Sequence, residues 1–219
     1  MTQAVLFDLD GTLADTAPDL AGALNRMLAR RGLAAVPVAA LRPVASSGAR
    51  GMLGIGFGIG PGHADYEPLR QEFFDEYESE LLGESVLFEG VIALLDGIEA
   101  RGLNWGIVTN KIARFTQPLV GLLGLDTRAG CVVSGDTTPH PKPHPAPLLE
   151  AARQLSAHPA RCIYVGDDER DIQAARSAGM GAIAAGYGYL GSGAPPSAWG
   201  ADHIIESPGA LLALIASGN

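Results

Sequence analysis

Residues 4–12 read AVLFDLDGT, an apolar run followed by two aspartates and a glycine. Side chains two positions apart in a β-strand point to the same side, so Asp8 and Asp10 leave the strand end close together. Gly11 permits a tight turn directly after them. Incidental acids in a solvated turn are the simpler alternative. Two neighbouring carboxylates, however, repel each other unless a cation or a shared proton intervenes, and this favours a functional site.

Further apolar runs follow along the chain and are expected to form strands at 105–109, 131–134, 162–165 and 182–185, with a short edge strand at 203–206. Helix-like segments separate them, at 90–101, 113–124, 145–156 and 169–179, and 208–216 resembles a closing helix. The runs are apolar on both faces, which is typical of a parallel sheet covered by helices. This alternation predicts an α/β fold with a doubly wound parallel sheet.

Residues 16–85 break the alternation, because they contain no strand-like run. Apolar residues recur there every three or four positions, which predicts helices. We therefore expect a helical insertion, defined as residues 16–85, that caps a core made of residues 1–15 and 86–219. Within the insertion, Ser46–Arg50 and the glycines between residues 54 and 62 are expected to be loops.

Composition narrows the functional class. The 219 residues carry a net charge of −9, which argues against a nucleic-acid partner, because phosphate backbones are bound through basic surfaces. Hydrophobic residues make up 47% and charged residues 18%, which excludes a disordered chain.

No signal peptide and no membrane-spanning run is recognised, so we expect no membrane partner and a cytoplasmic location. Cys131 and Cys162 are expected to be buried thiols.

Other predicted strand ends carry matching polar groups: Thr109, Asn110 and Lys111 after one strand, Lys142 in the segment after another, and Asp167, Asp168 and Asp171 after a third. Ligands of open α/β sheets bind at the carboxyl ends of the strands. The chain contains only two lysines, Lys111 and Lys142, and both lie at these ends. The nearby His140 and His144 are expected to be exposed in a proline-rich loop.

The ordered strings DLDGTLAD, VTN, KP and VGDDERD resemble the four motifs of the haloacid dehalogenase superfamily, phosphatase branch. The helical insertion resembles the C1-type cap of that family, and the core resembles its Rossmann-like sheet. The chain looks most like phosphoglycolate phosphatases. The strings SSGARGM, NWGIVTNK, VGDDERDI and YGY with WGAD resemble N-acetylmuramic acid 6-phosphate phosphatases in particular.

The resemblance implies a role for each matching residue. Asp8 would be the nucleophile that forms an aspartyl-phosphate, Asp10 the general acid and base, and Lys142 the neutralising cation. Phosphoryl oxygens would be held by Thr109, Asn110 and the backbone at Gly11. Mg²⁺ would be bound by Asp8, the backbone carbonyl of Asp10, and Asp167, supported by Asp171 and Asp168.

The substrate is expected to be a small phosphorylated metabolite, with Arg50 binding its carboxylate bidentately. The leading reaction is hydrolysis of 2-phosphoglycolate to glycolate and phosphate. Hydrolysis of N-acetylmuramic acid 6-phosphate or another sugar phosphate, and a β-phosphoglucomutase reaction, remain open. A phosphoaccepting signalling module is the non-enzymatic alternative. The oligomer is expected to be a monomer or a homodimer.

Overall fold

The computed structural model describes residues 2–81 and 83–216. Residues 1, 82 and 217–219, which belong to the predicted core and insertion, lie outside the described part. The strands are β1 Ala4–Phe7, β2 Ala14–Asp15, β3 Val86–Leu87, β4 Asn104–Val108, β5 Val132–Val133, β6 Cys162–Gly166, β7 Gly181–Ala185 and β8 His203–Ile205. Six of them form one parallel sheet in the order β5-β4-β1-β6-β7-β8.

The helices are α1 Ala17–Arg30, α2 Val38–Leu41, α3 Gly48–Phe57, α4 Tyr66–Ser79, α5 Val91–Glu99, α6 Ala113–Leu122, α7 Ala146–Gln154, α8 Glu169–Ser177 and α9 Ala210–Ala216. Alternate side chains of β1 face opposite layers. Val5 and Phe7 belong to the apolar layer of α5, α6 and α9, whereas Ala4 and Leu6 belong to that of α7 and α8. Helices on both faces of a parallel sheet confirm the predicted α/β fold.

The helical insertion contains α1 to α4 and joins the sheet through a small antiparallel ribbon. In this ribbon β2 pairs with β3, with Ala14 opposite Leu87 and Asp15 opposite Val86. The chain therefore enters and leaves the insertion at adjacent points. The helices expected within residues 16–85 are present, and the division into cap and core domains stays a prediction.

The loop predicted for Ser46–Arg50 is wrong. A 3₁₀ helix covers Arg42–Ser47 and α3 begins at Gly48, so Arg50 is helical. Glycines at 54 and 56 weaken the helical signal of the sequence, but Ala49, Met52 and Leu53 bury one face of α3. Tertiary packing therefore outweighs the low helix propensity. The predicted glycine loop begins only at Gly58, whose φ of 69° ends the helix.

Cys131 and Cys162 are both buried, as expected, and both are free thiols. No helix in residues 2–81 or 83–216 combines the length and apolarity needed to cross a membrane.

Candidate active site

A cavity of about 410 Å³ lies between the carboxyl ends of the strands and the helical insertion. Its polar floor comprises Asp8, Asp10, Thr109, Asn110, Lys111, Lys142, Asp168, Arg170 and Asp171. Its opposite wall comes from the insertion and α6 and includes Arg50, Tyr66, Arg70, Phe73, Phe74, Tyr77 and Phe115. Parallel strands end at one edge, which is why residues distant in sequence meet here.

Asp8 is buried directly after β1 and is held through one oxygen. Its Oδ1 accepts a hydrogen bond from the Leu9 backbone N–H at 2.8 Å and pairs with Lys142 Nζ at 2.9 Å. No described residue donates to Oδ2. The carboxylate is therefore fixed in orientation while one oxygen is left free to react.

Lys142 is surrounded by acceptors. Its ammonium lies 2.9 Å from Asp8 Oδ1 and 2.7 Å from Asp171 Oδ1. It also donates to the Tyr164 hydroxyl at 2.8 Å and to the Val108 carbonyl at 3.1 Å. An ammonium has three donor hydrogens, so these oxygens use its full capacity.

Asn110 fixes the segment that carries Lys142. The Asn110 amide donates to the Lys142 carbonyl at 3.0 Å and accepts from the Lys142 backbone N–H at 2.9 Å. These two bonds hold the lysine backbone next to the end of β4. The predicted contact of Asn110 with a phosphoryl group stays a prediction, and its side-chain amide is already engaged.

Asp167 is fully buried after β6 and is paired with no described basic side chain. Its carboxylate accepts from the Thr12 hydroxyl at 2.9 Å, the Tyr189 backbone N–H at 2.9 Å and the Ser46 hydroxyl at 3.3 Å. Oxygens of Asp8, Asp167 and Asp171 lie within 4.8 Å of one another. A buried carboxylate cluster with one member lacking a cation fits a hard divalent ion such as Mg²⁺, which prefers oxygen ligands.

The electrostatics of these acids agree with that fit. Burial raises the pKa of Asp8 to about 7, with Lys142 opposing the shift and Asp171 adding to it. Burial also raises the pKa of Asp167 well above its ordinary value, and the neighbouring charge of Asp8 reinforces the effect. A divalent cation between these oxygens would favour their charged forms instead.

Asp10 points to a different set of partners. Its Oδ1 accepts from the Thr16 hydroxyl at 2.5 Å and pairs with Lys111 Nζ at 2.8 Å. Burial lowers the pKa of Lys111, but the charges and hydrogen bonds of Asp10 and Tyr77 together outweigh burial and hold the pKa above its ordinary value. The ammonium lies 4.7 Å from the ring centroid of Tyr77, over its face. Lys111 therefore stays protonated beside Asp10.

Gly11 and Thr109 complete the floor. Gly11 has a φ of 84°, and a Cβ there would collide with the Asp167 carboxylate. Only glycine satisfies both the left-handed turn and this close approach. Thr109 is buried at the end of β4, and its hydroxyl accepts from the Lys111 backbone N–H at 3.1 Å.

Two predicted residues lie apart from the acidic cluster. Asp168 caps α8 by accepting from the Arg170 backbone N–H at 2.9 Å, and it pairs with the Arg170 guanidinium at 2.7 Å. Arg50 is exposed on α3 and lines the cavity, and it forms no ion pair with the rest of the described chain. The structure thus gathers Asp8, Asp167 and Asp171 around one point, with Lys142 paired to Asp8 and Asp171, whereas Asp168 and Arg50 line the same cavity outside that cluster.

A model of the haloacid dehalogenase-like hydrolases matches residues 5–185, which includes β1 from its second residue, all of β2 to β7 and every acid of the site. The chain belongs to the haloacid dehalogenase-like hydrolase family. Its relatives include a phosphoglycolate phosphatase of Xanthomonas campestris pv. campestris, 46% identical over 94% of this chain and 93% of that protein. An N-acetylmuramic acid 6-phosphate phosphatase of Pseudomonas putida is 43% identical over 98% of this chain and 96% of its own length.

The fold of this haloacid dehalogenase-like hydrolase also matches solved structures. A crystal structure described as a predicted phosphoglycolate phosphatase from Haemophilus somnus superimposes with a TM-score of 0.83. It is 27% identical, and the match covers 98% of each chain.

Sequence reasoning missed several residues of this haloacid dehalogenase-like hydrolase site. The sequence pattern places Lys111 at a strand end without indicating a role, and it places Tyr164 only within a strand. Tyr189 lies far along the chain, yet its hydroxyl accepts from the backbone N–H groups of Thr16 and Ala17 and caps α1. The rarity of lysine was the one signal that pointed to Lys111.

Proposed function

We propose that this protein is a phosphomonoester hydrolase that acts through an aspartyl-phosphate on Asp8, with 2-phosphoglycolate as its leading substrate. The observation that carries the proposal is the Asp8 carboxylate, buried at the cavity floor with Oδ1 bound to Lys142 and Oδ2 free. The names of the relatives and the family membership support the reaction class.

In the first step, Asp8 Oδ2 attacks phosphorus in line, and the bond from phosphorus to the ester oxygen breaks. Asp10 gives a proton to the leaving alkoxide, so glycolate departs with its hydroxyl restored. Thr16 and Lys111 both bind Oδ1 of Asp10, which leaves Oδ2 to carry that proton. The product of this step is the acyl phosphate on Asp8.

In the second step, Asp10 takes a proton from water, and the resulting hydroxide attacks phosphorus. The bond between phosphorus and Asp8 breaks, and inorganic phosphate leaves. The net reaction consumes one water and one phosphomonoester and releases an alcohol and phosphate. Asp8 and Asp10 return to their starting states.

Charge on the phosphoryl group has to be compensated for an anion to attack it. We assign this task to Lys142, whose ammonium already touches Asp8. Thr109, Asn110 and the backbone at Gly11 are proposed to bind phosphoryl oxygens. Their positions at the ends of β4 and β1 favour that role.

We further propose that Asp8, the backbone carbonyl of Asp10, and Asp167 hold Mg²⁺, with Asp171 and Asp168 as supporting acids. The side chain of Asp10 faces Lys111, so only its carbonyl is assigned to the metal. When bound, Mg²⁺ supplies positive charge to the nucleophile and the phosphoryl oxygens.

We propose that the helical insertion, residues 16–85, acts as a cap over a core of residues 1–15 and 86–219. The Ser46 carbonyl accepts from Arg170 at 3.0 Å, and the Arg114 guanidinium of α6 pairs with Asp75 at 3.0 Å. These contacts hold the insertion over the cavity. A closed cap excludes bulk water from the acyl phosphate.

N-acetylmuramic acid 6-phosphate is the second candidate substrate. A cavity of about 410 Å³ is ample for a two-carbon acid, and its outer wall is largely aromatic. Such a wall would suit the apolar faces of a sugar ring. Arg50, which lines the cavity from the insertion, is proposed to bind the carboxylate of either substrate.

The remaining proposals concern the setting of the enzyme. We propose a cytoplasmic enzyme, monomeric or homodimeric, whose partner is a small phosphorylated metabolite. Two buried free thiols suit a reducing compartment.

The test measures phosphate release from 2-phosphoglycolate, N-acetylmuramic acid 6-phosphate and phenyl phosphate, with Mg²⁺ and with excess chelator. Mg²⁺-dependent hydrolysis, lost in Asp8→Asn, is expected. A 2-phosphoglycolate preference supports the first candidate, and an N-acetylmuramic acid 6-phosphate preference supports the second. Full activity of Asp8→Asn, or full activity in chelator, contradicts the mechanism.

A further inference from the structure

Lys111 is the buried cation that the proposed mechanism uses least. Its side chain is 8% exposed, yet its ammonium forms a single hydrogen bond within the described residues, to Asp10 Oδ1. An ammonium carries three donors, and leaving buried donors without acceptors is unfavourable. Beyond Asp10, the described chain offers the ammonium only the ring and hydroxyl of Tyr77, so donor capacity remains for a ligand in the cavity.

Tyr77 lies on the opposite wall of the cavity and contributes a second polar group beside Lys111. Its hydroxyl is buried and has no hydrogen-bond partner of ordinary geometry in residues 2–81 or 83–216, although the neighbouring Lys111 ammonium interacts with it. Its ring covers the Lys111 ammonium at 4.7 Å and packs edge-on against Phe115 at 5.3 Å. The ring is thus fixed by packing, while its hydroxyl remains available to a ligand.

The position of Asp10 determines which part of a substrate comes to this place. Asp10 has to reach the ester oxygen within hydrogen-bonding distance to protonate it. Lys111 binds the same carboxylate, 2.8 Å from Oδ1, and Asp10, Lys111 and Tyr77 line one cavity. We therefore expect groups on the carbon next to the ester oxygen to come close to Lys111 and Tyr77.

We propose that Lys111 and Tyr77 form a binding subsite for a carboxylate carried on the carbon adjacent to the phosphate ester, as in a 2-phospho-carboxylic acid. This inference rests on the proposed function. The ammonium donates to one carboxylate oxygen and the Tyr77 hydroxyl donates to the other. For 2-phosphoglycolate, Lys111 and Tyr77 thus take over the role proposed above for Arg50, and Arg50 keeps that role for a carboxylate further from the ester, beyond a sugar ring.

The experiment compares kcat/KM for 2-phosphoglycolate with that for ethyl phosphate, which has the same ester but no carboxylate. Loss of the Asp10 partner in Lys111→Met lowers both values. The ratio of the two values should fall about tenfold or more, because one charged hydrogen bond is lost only with 2-phosphoglycolate. Lys111→Arg should restore part of the ratio.

Tyr77→Phe keeps the ring and removes only the hydroxyl, so it tests the subsite even if Lys111→Met folds poorly. We expect its ratio to fall about tenfold or more, because a hydrogen bond from a neutral hydroxyl to a charged carboxylate is lost only with 2-phosphoglycolate. The matched control is Arg153→Met, since Arg153 is exposed on α7 and pairs with Glu150 away from the cavity. It should keep the wild-type ratio.

Two results overturn the inference separately from the proposed function. If Lys111→Met and Tyr77→Phe each lower kcat/KM equally for both substrates, Lys111 serves only to hold Asp10 and the subsite does not exist. A wild-type enzyme that hydrolyses both esters without preferring 2-phosphoglycolate would also reject the subsite. Hydrolysis of neither ester by the wild type would contradict the first candidate function, and the subsite with it.

Discussion

Lys142 and Lys111, the two lysines of the chain, end in different surroundings at the same edge of the sheet. Lys142 is enclosed by four oxygens, two of them from Asp8 and Asp171. Lys111 meets one oxygen, from Asp10, and the face of Tyr77. The first ammonium is saturated by the protein, whereas the second faces the cavity with donor capacity that is available to a ligand.

The difference separates two tasks. A saturated cation holds reacting groups in place and neutralises charge that is always present. A cation with unused donors stabilises the binding of a ligand that carries a hydrogen-bond acceptor. Replacing either lysine should therefore have consequences of different size and kind.

The largest effect is expected for Lys142→Met. The change leaves Asp8 and Asp171 buried without their cation, which costs about 3–5 kcal/mol of folding free energy. Activity on every phosphomonoester should fall by about 10³-fold or more, because a preorganised charge at the phosphoryl group is lost. Chemical denaturation and steady-state kinetics measure the two losses. A variant that keeps wild-type activity would remove Lys142 from the mechanism.

Asp10→Asn should have the next largest effect. It tests the acid that pairs with Lys111. Turnover should fall at least ~10²-fold, the usual range for a lost general acid and base, while substrate still binds. Rapid-quench measurement of the acyl phosphate, alongside KM, tests this. Wild-type turnover with an alkyl phosphate would contradict the assignment of Asp10.

The contribution of Asp8, the acid that pairs with Lys142, to folding stability should depend on pH in the absence of metal. Asp8 has an ordinary pKa of 3.8, and burial raises it to about 7 in the folded state. Between these values the folded protein binds more protons than the unfolded chain, so this group's contribution to stability falls as the pH rises. In the presence of chelator, the difference in Tm between Asp8→Asn and wild type should therefore increase, in favour of Asp8→Asn, from about pH 4 to about pH 7.

Mg²⁺ provides the control for this pH effect, because it binds the deprotonated oxygens. The rise in wild-type Tm on adding Mg²⁺ should grow with pH over the same window. Thermal melts of both proteins, with Mg²⁺ and with chelator, give the comparison. A constant Tm difference between wild type and Asp8→Asn would show that Asp8 does not titrate there.

The smallest effect is expected for Arg50→Ala, because Arg50 is exposed and solvent weakens its charge interactions. We expect a loss of about threefold to tenfold in kcat/KM for a carboxylate-bearing substrate, and much less for phenyl phosphate. A larger loss on N-acetylmuramic acid 6-phosphate than on 2-phosphoglycolate would sharpen the division between Arg50 and Lys111. Equal losses on phenyl phosphate would assign Arg50 to the phosphate or the fold.

The floor of the site could be predicted because it follows from local pattern and topology. Apolar runs located the strands, and their shared direction brought Asp8, Thr109, Lys142 and Asp167 to one edge. The spacing of Asp8 and Asp10 also implied two carboxylates side by side.

The wall of the site could not be predicted in the same way. Tyr77 reaches Lys111 only through the placement of α4 over the sheet, which no local periodicity encodes. The helical state of Arg50 depends on burial of Met52 and Leu53, which outweighs the surrounding glycines. Tertiary contacts determine both features, and a single amino-acid sequence does not reveal those contacts.

The β2–β3 ribbon makes the helical insertion a replaceable module. The strands on either side of the insertion are paired, with Ala14 opposite Leu87, and the Phe88 N–H donates to the Leu13 carbonyl at 3.0 Å. The gap that the core has to bridge is therefore the same whatever the length of the inserted chain. Because lengthening a loop adds little closure entropy, insertions of very different size can be exchanged at this point. New leaving groups can thus be accommodated by grafting a different segment, while the reacting aspartates keep their places.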